Sequence, residues 1–215
     1  MLERLKDRVT VAVVSGRGRE DLESLVQVEG IAYAGAHGFD IRGPGGAEMG
    51  RETGGDHVAK LADAAERLRE DLADVDGVIV EDKTHAVAIH WRQVAERDVP
   101  RVDRAVQAAA DRVSGLRRTG GKKIYELRPD LAWDKGRAVL WLLEALGLDG
   151  DDVMPLYIGD DETDRDAFRA LKGRGLSIFA AEEPQDTEAD YRLAHPDEVR
   201  RFLARIAEAE EEETP

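Results

Sequence analysis

Cysteine is absent from this chain of 215 residues, and lysine is scarce, with seven lysines against twenty-four arginines. The lack of cysteine excludes disulfide bonds and thiolate chemistry, and it agrees with a cytoplasmic protein. No apolar run is long enough to span a membrane, and the N-terminus has no signal-peptide pattern. The absences together predict a globular cytoplasmic protein.

Positive charge is also in deficit, because 46 acidic residues against 31 basic residues give a formal net charge of −15. This balance argues against nucleic acid and against an anionic membrane surface as partners. Excess acid with few lysines resembles the proteins of salt-loving organisms. A high genomic GC content would give the same arginine bias, and the sequence leaves both explanations open.

Short β-rich runs alternate with helical patterns near both ends of the chain. The runs cover residues 9–14, 31–36, 156–158 and 175–180, and the continuous β-rich run at 9–14 is typical of a parallel strand buried on both faces. Helical spacing follows them at residues 20–28, 137–146, 167–172 and 197–207. The alternation predicts an α/β fold with a Rossmann-like parallel sheet.

The middle of the chain has a different pattern. A glycine-rich polar stretch at residues 42–56 predicts a loop or domain junction. Beyond it come a helix (57–72), two strands (78–83 and 86–91), a second helix (99–113) and a hairpin with its turn at residues 119–121. We therefore expect a core domain of residues 1–56 and 130–207, an inserted α+β cap domain of residues 57–129, and a disordered acidic tail of residues 208–215.

Four acids occupy the five positions after Gly159, where an apolar run ends. Carboxylates crowded at the carboxyl end of a parallel strand repel one another unless a cation neutralises them. Mg²⁺ suits such a place, because it accepts one or two carboxylates and keeps several waters. Helix capping would account for Asp161 and Asp164 but gives no reason for Asp160. The stretch therefore predicts a magnesium site.

Three other positions add to this chemistry. Ser15 follows the first strand and precedes Gly16, a pattern that places backbone N–H groups near an anion, although an ordinary strand-to-helix turn would look the same. Lys135 opens the long apolar helix, and His37 ends the second strand between small residues. A hydroxyl, an ammonium and a metal-binding acid are what a phosphoryl-transfer site needs.

In this order, Ser15, Lys135 and the acidic stretch resemble three motifs of the haloacid-dehalogenase-like (HAD) phosphatases. The local sequences VVSGR, GAHG, VEDK, YELRP, DKG and GDDETDRDAF are similar to those of the trehalose-6-phosphate phosphatase family, over residues 8–203. The resemblance implies a Mg²⁺-dependent hydrolase of trehalose 6-phosphate, built as a HAD core with an inserted cap.

The resemblance also implies roles for individual residues. Ser15, Lys135 and Asp160 would be catalytic, with Ser15 and Lys135 on the phosphate and Asp160 on Mg²⁺. Asp161 and Asp164 would support the metal shell. The substrate-binding set would comprise Gly16, Arg17, His37, Glu81, Lys83 and Glu126, of which the last three lie in the cap and bind sugar hydroxyls. His90 and Arg92 are further candidates that a structural role would explain equally well.

One family motif is missing from this sequence. The family begins with Asp-x-Asp-Gly-Thr on its first strand, which supplies the nucleophile and the general acid/base and lies between the strands that end at Ser15 and Asp160. The only Asp-x-Asp-Gly here, at residues 74–77, lacks the Thr and precedes a strand, so we reject Asp74 and Asp76 as that pair. We therefore expect the first core strand to be absent and the chain to be inactive alone.

Several alternatives stay open. A phosphatase of the same fold for sucrose phosphate or glucosylglycerol phosphate is the nearest one. A non-catalytic sugar-phosphate sensor, or a subunit that stabilises a synthase, is the alternative from another class, and the resemblance allows association with a trehalose-6-phosphate synthase. A receiver domain is set aside, because its acid pair would come first in the chain.

The net charge predicts a response to salt. Self-repulsion of an acidic chain destabilises the compact state, and added ions screen it. We expect the melting temperature to rise markedly between low salt and about 1 M KCl, since the Debye length falls from tens of ångströms to about 3 Å. A flat melting profile would favour the GC-content explanation of the arginine bias.

Overall fold

The computed structural model describes residues 1–47, 49, 55–183 and 185–209. Most of the predicted acidic tail, from residue 210 onward, lies outside the described residues, as do residues 48 and 50–54 of the predicted loop. The chain divides into two compact units, which we call the core unit (residues 1–50 and 133–215) and the cap unit (residues 51–132). Among the described residues, no helix is long and apolar enough to cross a bilayer.

The elements follow the predicted alternation. In chain order the helices are α1 (Leu2–Leu5), α2 (Arg19–Val26), α3 (Gly55–Asp71), α4 (Val99–Arg112), α5 (Lys135–Ala145), α6 (Arg165–Leu171) and α7 (Pro196–Glu208). The strands are β1 (Ala12–Val14), β2 (Ala32–Gly35), β3 (Asp40–Arg42), β4 (Ile79–Asp82), β5 (Val87–His90), β6 (Leu116–Gly121), β7 (Ile124–Pro129), β8 (Leu156–Gly159), β9 (Leu176–Ala180) and β10 (Tyr191–Leu193).

The core unit contains two three-stranded sheets, ordered β1-β2-β3 and β10-β9-β8. The pairs β1-β2, β8-β9 and β9-β10 are parallel, as predicted, and β3 adds an antiparallel edge. Within the described part of the chain, no strand pairs with the outer edge of β1 or of β8. The two edges share one apolar cluster, because Val14 and Tyr157 both pack against Val139, Ala167 and Leu171.

The cap unit is an antiparallel sheet of order β4-β5-β7-β6 covered by α3 and α4. Alternate residues point to opposite faces of a strand, so one face of this sheet meets the helices and the other does not. The helices and the helix-facing side of the sheet share one buried cluster, which includes Leu61, Leu68, Leu72, Val87, Ile89, Val102, Val106 and Leu127. The opposite face presents Glu81, His90, Glu126 and Arg128.

Two details differ from the sequence-based expectation. The hairpin turn lies at residues 122–123 instead of 119–121, because Gly120 and Gly121 continue β6 and pair with Tyr125 and Ile124. The strands β3 and β10 were not predicted. Each has only three residues, too few to show a period, and their pairing to β2 and β9 defines them.

The contact between α5 and α6 requires a glycine. A Cβ atom on Gly136, in the first turn of α5, would overlap the backbone carbonyl of Asp166 and touch the Cβ of Ala170. Backbone atoms cannot rotate away as a side chain can, so a larger residue would force the two helices apart.

We expect Gly136→Ala to lower the free energy of unfolding by about 1–3 kcal/mol, through this overlap. Gly18→Ala is the matched control, because Gly18 has a negative φ and no atom near its Cβ position. Urea unfolding of both variants measures the difference. Equal stability of the two would contradict the close-packing explanation.

Candidate active site

A buried ion pair lies at the carboxyl end of β8. The ammonium of Lys135, in the first turn of α5, donates to Asp164 Oδ1 at 2.8 Å, and both side chains are 5% exposed. Asp134 caps α5 by accepting from the backbone N–H of Arg137 at 2.8 Å, and this cap fixes where the helix begins. Two charges out of water are tolerated only when they are paired and hydrogen-bonded, as these are.

Asp164 accepts four hydrogen bonds. Its Oδ1 also receives the hydroxyl of Tyr157 at 2.7 Å, and its Oδ2 receives the backbone N–H groups of Asp160 and Asp161, each at 3.0 Å. One carboxylate thereby connects α5, β8 and the acidic loop. Burial raises the pKa of Tyr157 far above its ordinary value, and the charge of Asp164 raises it further, so this hydroxyl stays a donor.

Gly159 makes this arrangement possible. A Cβ atom at the end of β8 would overlap the side chain of Asp164. The loop therefore folds back over its own strand only because residue 159 has no side chain. Asp164 can therefore take this position only when residue 159, the glycine of the GDD motif, has no side chain.

The two neighbouring acids differ in how they are held. Asp161 Oδ1 accepts from the backbone N–H and the hydroxyl of Thr163, each at 2.6 Å, and it lies 3.6 Å from the Lys135 ammonium. Partial burial acts to raise the pKa of Asp161, but the Thr163 hydroxyl and the Lys135 charge outweigh it and hold that pKa below its ordinary value. Asp160 is exposed, and no hydrogen bond to its carboxylate is described.

Helix capping therefore explains two of the acids. Asp161 and Asp164 form a reciprocal capping box around the short turn Glu162–Asp164. Neither oxygen of Asp164 is left without donors, so this residue would act on a metal by placing Asp160 and Asp161. The assignment of Asp160, Asp161 and Asp164 to a metal shell stays a prediction.

The acids can be tested for fit to Mg²⁺. The described residues contain no group of three or more acids and histidines already arranged for a metal. The carboxylate of Asp160 and the Oδ2 atom of Asp161 remain without described donors. Mg²⁺ commonly takes one or two carboxylates and keeps its other ligands as water, so this donor set fits the ion.

A second loop follows β1. Ser15 Oγ accepts from the backbone N–H of Arg17 at 3.2 Å, and the Ser15 N–H donates to Ala34 at 2.9 Å. Gly16 and Arg17 are exposed, and the Arg17 side chain pairs with Asp21 at 3.2 Å. The Ser15 side chain thus closes its own turn, and its lone pairs and proton lie on a partly exposed surface.

His37 is fixed against this loop by an unusual backbone. Ala36 and His37 have φ angles of 50° and 59°, and their N–H groups donate to Arg17 and Ser15 carbonyls at 2.6 and 2.8 Å. A Cβ on Gly16 would lie 2.7 Å from His37 Nε2, so the ring rests on the glycine. Two successive non-glycine residues in the left-handed region are costly, and such strain concentrates at functional sites.

The cap residues form a separate group on the polar face of the cap sheet. The Lys83 ammonium lies 3.8 Å from Glu81 and 3.6 Å from Glu126. The structure thus brings Glu81, Lys83 and Glu126 together in the cap unit, while Ser15, Gly16, Arg17, His37, Lys135 and the three aspartates belong to the core unit.

Two residues in these networks were not predicted. Tyr157 was assigned only to a strand, and Arg128, which binds Glu126, was not singled out. Tyr157 reaches Asp164 through the fold of the loop, which no spacing rule shows. Arg128 lies two residues from Glu126 on one strand, a spacing that places both side chains on the same face. Asp74, rejected as a catalytic acid, pairs with Arg101 in the cap unit, and Arg101 also donates to the Asp71 carbonyl.

Comparison with known proteins gives consistent matches. The family profile for trehalose-phosphatase matches residues 1–197. The chain is 41% identical to the trehalose-phosphate phosphatase of Mycolicibacterium paratuberculosis over 96% of its own length and 54% of that protein. It is 37% identical to a probable trehalose-phosphate phosphatase of Oryza sativa over 94% of its own length and 59% of that protein. The chain thus spans between half and two thirds of these relatives.

Solved structures share the fold. A crystal structure titled as a trehalose-6-phosphate phosphatase related protein aligns with a TM-score of 0.74 and 25% identity, covering 96% of this chain and 84% of that one. A haloacid dehalogenase-like hydrolase from Bacteroides thetaiotaomicron aligns with a TM-score of 0.68 and 17% identity, covering 95% and 90%. The predicted HAD-like fold is confirmed.

The ion pair predicts a stability ranking. Asp164→Asn removes the buried counter-charge of Lys135 and leaves only the more exposed Asp161 at 3.6 Å, so we expect the free energy of unfolding to fall by about 3–5 kcal/mol. Tyr157→Phe removes one of four donors, for an expected loss of about 1 kcal/mol. Asp166→Asn is the control. Asp166 lies two residues after Asp164 and forms a partly exposed ion pair with Arg169, so its substitution should cost at most about 1 kcal/mol. Urea unfolding gives all three values, and a mild effect of Asp164→Asn would contradict the central role of the pair.

Proposed function

The chain belongs to the trehalose-phosphatase family, and we propose that it forms most of a Mg²⁺-dependent phosphatase that hydrolyses trehalose 6-phosphate to trehalose and phosphate. The observation that carries the proposal is the position of the Lys135 ammonium, which is buried in the first turn of α5. It lies beside an acidic loop in which the Asp160 carboxylate has no described hydrogen bond. Such a pairing of fixed cation and metal-binding acid serves phosphoryl transfer.

Lys135 is suited to hold a phosphate. An ammonium has three N–H donors, and the described hydrogen bond to Asp164 uses one of them. The other two can reach phosphate oxygens, while Asp164 keeps the side chain in place. Ser15 and the backbone N–H of Gly16 would hold the remaining phosphate oxygens, with His37 fixed against that loop.

Mg²⁺ would be held by Asp160, with Asp161 Oδ2 as the second acid, and it would neutralise charge on the phosphate when bound. Asp164 would keep both acids in position through its hydrogen bonds to their N–H groups. Asp160 already lies on an exposed loop at a strand end, so its substitution removes the metal without removing the fold.

The proposed nucleophile lies outside this sequence. The unpaired edges of β1 and β8 in the described chain, with Val14 and Tyr157 in one apolar cluster, support a further strand between them that carries Asp-x-Asp-Gly-Thr. Its first carboxylate would attack phosphorus while the bond from phosphorus to the sugar oxygen breaks, and its second would protonate that oxygen. Water would then hydrolyse the phosphoaspartate, returning the carboxylate and releasing phosphate.

In this proposal the cap supplies the sugar specificity. Glu81, Lys83 and Glu126 would bind hydroxyls of trehalose, and a wrong sugar would leave these polar groups without partners. Another sugar phosphate, such as sucrose phosphate, is the second candidate substrate. A non-catalytic sugar-phosphate-binding subunit, for example of a trehalose-6-phosphate synthase, is the second candidate function, because this sequence contains no Asp-x-Asp-Gly-Thr.

Restoring the strand tests the proposal. The chain alone should release no phosphate from trehalose 6-phosphate, and joining a segment with an apolar strand and Asp-x-Asp-Gly-Thr to its N-terminus should restore Mg²⁺-dependent release. In that form, Asp160→Asn should lower turnover by about 10²-fold or more, since the transition-state charge loses its metal.

The outcomes separate the candidates. Binding of trehalose 6-phosphate without turnover in the restored form would favour the regulatory subunit, and faster release from sucrose phosphate would change the substrate. Turnover by the chain alone would contradict the missing nucleophile and bring Asp74 and Asp76 back into consideration.

A further inference from the structure

A continuous line of polar and charged side chains crosses three strands of the cap sheet. His90 Nε2 on β5 lies 2.9 Å from Glu81 Oε2 on β4, and Lys83 lies within 4 Å of both Glu81 and Glu126. Arg128 on β7 completes the line, because its Nε and Nη2 atoms both donate to Glu126 Oε2. Along this line, each carboxylate has nitrogen groups on both sides.

Each carboxylate in the line has one engaged oxygen and one open oxygen. Glu81 Oε2 faces both His90 and Lys83, and no contact to its Oε1 is described. Arg128 occupies Glu126 Oε2, and Glu126 Oε1 lies 3.6 Å from Lys83, beyond ordinary hydrogen-bond distance. Two oxygens with a cation between them are therefore left for a ligand.

The strand register sets these two carboxylates on either side of a small residue. Ala88 pairs with Glu81 on one side and with Glu126 on the other, and its side chain is fully buried. Hydroxyls both donate and accept, so the sequence of acceptor, ammonium and acceptor matches neighbouring hydroxyls of a sugar ring.

We propose that His90 and Arg128 are positioning residues for sugar recognition: each holds one oxygen of a carboxylate and directs the other to a hydroxyl. The inference rests on the proposed function and adds the residues that set its specificity. A glutamate side chain loses rotamer freedom when it binds a ligand, and a glutamate already held by a neighbour loses less. Arg128 is suited to this role, because its guanidinium is planar and presents several donors in a fixed geometry.

A purely structural role explains the His90–Glu81 pair less well, whereas the Arg128–Glu126 pair is more buried, with side chains 25% and 18% exposed. The side chains of His90 and Glu81 are 39% and 49% exposed, and exposed ion pairs add little to stability. The helix-facing side of the sheet has a pair with an evident structural purpose, since Arg118 binds Asp103 of α4 and lies over the Tyr125 ring. Among the described residues, no ion pair or ring contact joins His90 or Arg128 to a helix.

Calorimetric titration of the chain with trehalose 6-phosphate and, separately, with inorganic phosphate tests the proposal. We expect His90→Ala and Arg128→Met each to weaken trehalose 6-phosphate binding about tenfold, the effect of one lost favourable interaction, and to leave phosphate binding unchanged. His90→Gln keeps a side-chain N–H donor and should recover most of the affinity. Arg128→Lys keeps the positive charge without the planar guanidinium and should recover part of the affinity.

Arg117→Met is the matched control. Arg117 pairs with Arg128 in the strand register, is exposed on the same face, and has no described ion pair, so its substitution removes the same charge without releasing a carboxylate. We expect this variant to bind both ligands as the unaltered chain does.

Each other outcome decides the question. Unchanged trehalose 6-phosphate binding in His90→Ala and Arg128→Met would overturn the positioning role and leave the proposed function intact. Equal losses on both ligands would also overturn it, since they would indicate a damaged fold. An unaltered chain that binds trehalose 6-phosphate no better than phosphate would overturn the proposed substrate, and this inference with it. If Arg128→Met fails to fold, the half-exposed His90 carries the test.

Discussion

The hydrogen bonds of Asp164 are the constraint on which the candidate site depends. Its carboxylate binds the ammonium of Lys135, the hydroxyl of Tyr157 and two backbone N–H groups of the acidic loop. The four donors come from three parts of the core unit, so the helix, the strand and the loop are fixed relative to one another by one buried charge. Each of these hydrogen bonds offsets part of the free energy cost of burying that charge.

The glycines of the sequence motifs serve the same purpose. Gly159 allows the loop to return over β8, Gly136 allows α5 to approach α6, and Gly16 receives the His37 ring. A side chain at any of these positions would overlap a group of the site or its support. The chemistry-bearing residues of the motifs therefore depend on neighbours that have no side chain, which explains why serine, lysine and aspartate stand beside glycine in SGR, DKG and GDD.

Much of the fold could be predicted from the sequence, because short β-rich runs and helical spacing are local signals. The inserted antiparallel unit and the parallel strands of the core unit have the predicted order. The hairpin turn was misplaced by glycines that the sheet holds in β6, and β10 exists only through its pairing with β9. In the site, a count of acids predicts a metal but cannot tell that Asp164 turns inward. That distinction depends on the hydrogen bonds that Lys135 and Tyr157 donate to Asp164. Lys135 is far from Asp164 in sequence, and Tyr157 lies on the preceding strand.

The distribution of apolar clusters bears on the gap between the two sheets. A domain usually has one contiguous core with smaller satellites. The cap unit has one such cluster, whereas the described residues of the core unit form three smaller ones. Val14 of β1 belongs to two of the three, beside Ala34 in one and beside Tyr157 of β8 in the other. A strand with apolar side chains on both faces, placed between β1 and β8, would pair both open edges and extend this contact into a single core. The same strand would end beside Ser15 and Asp160, where a phosphate would be held. In the proposed function, completing the core and completing the chemistry would therefore be the same structural step.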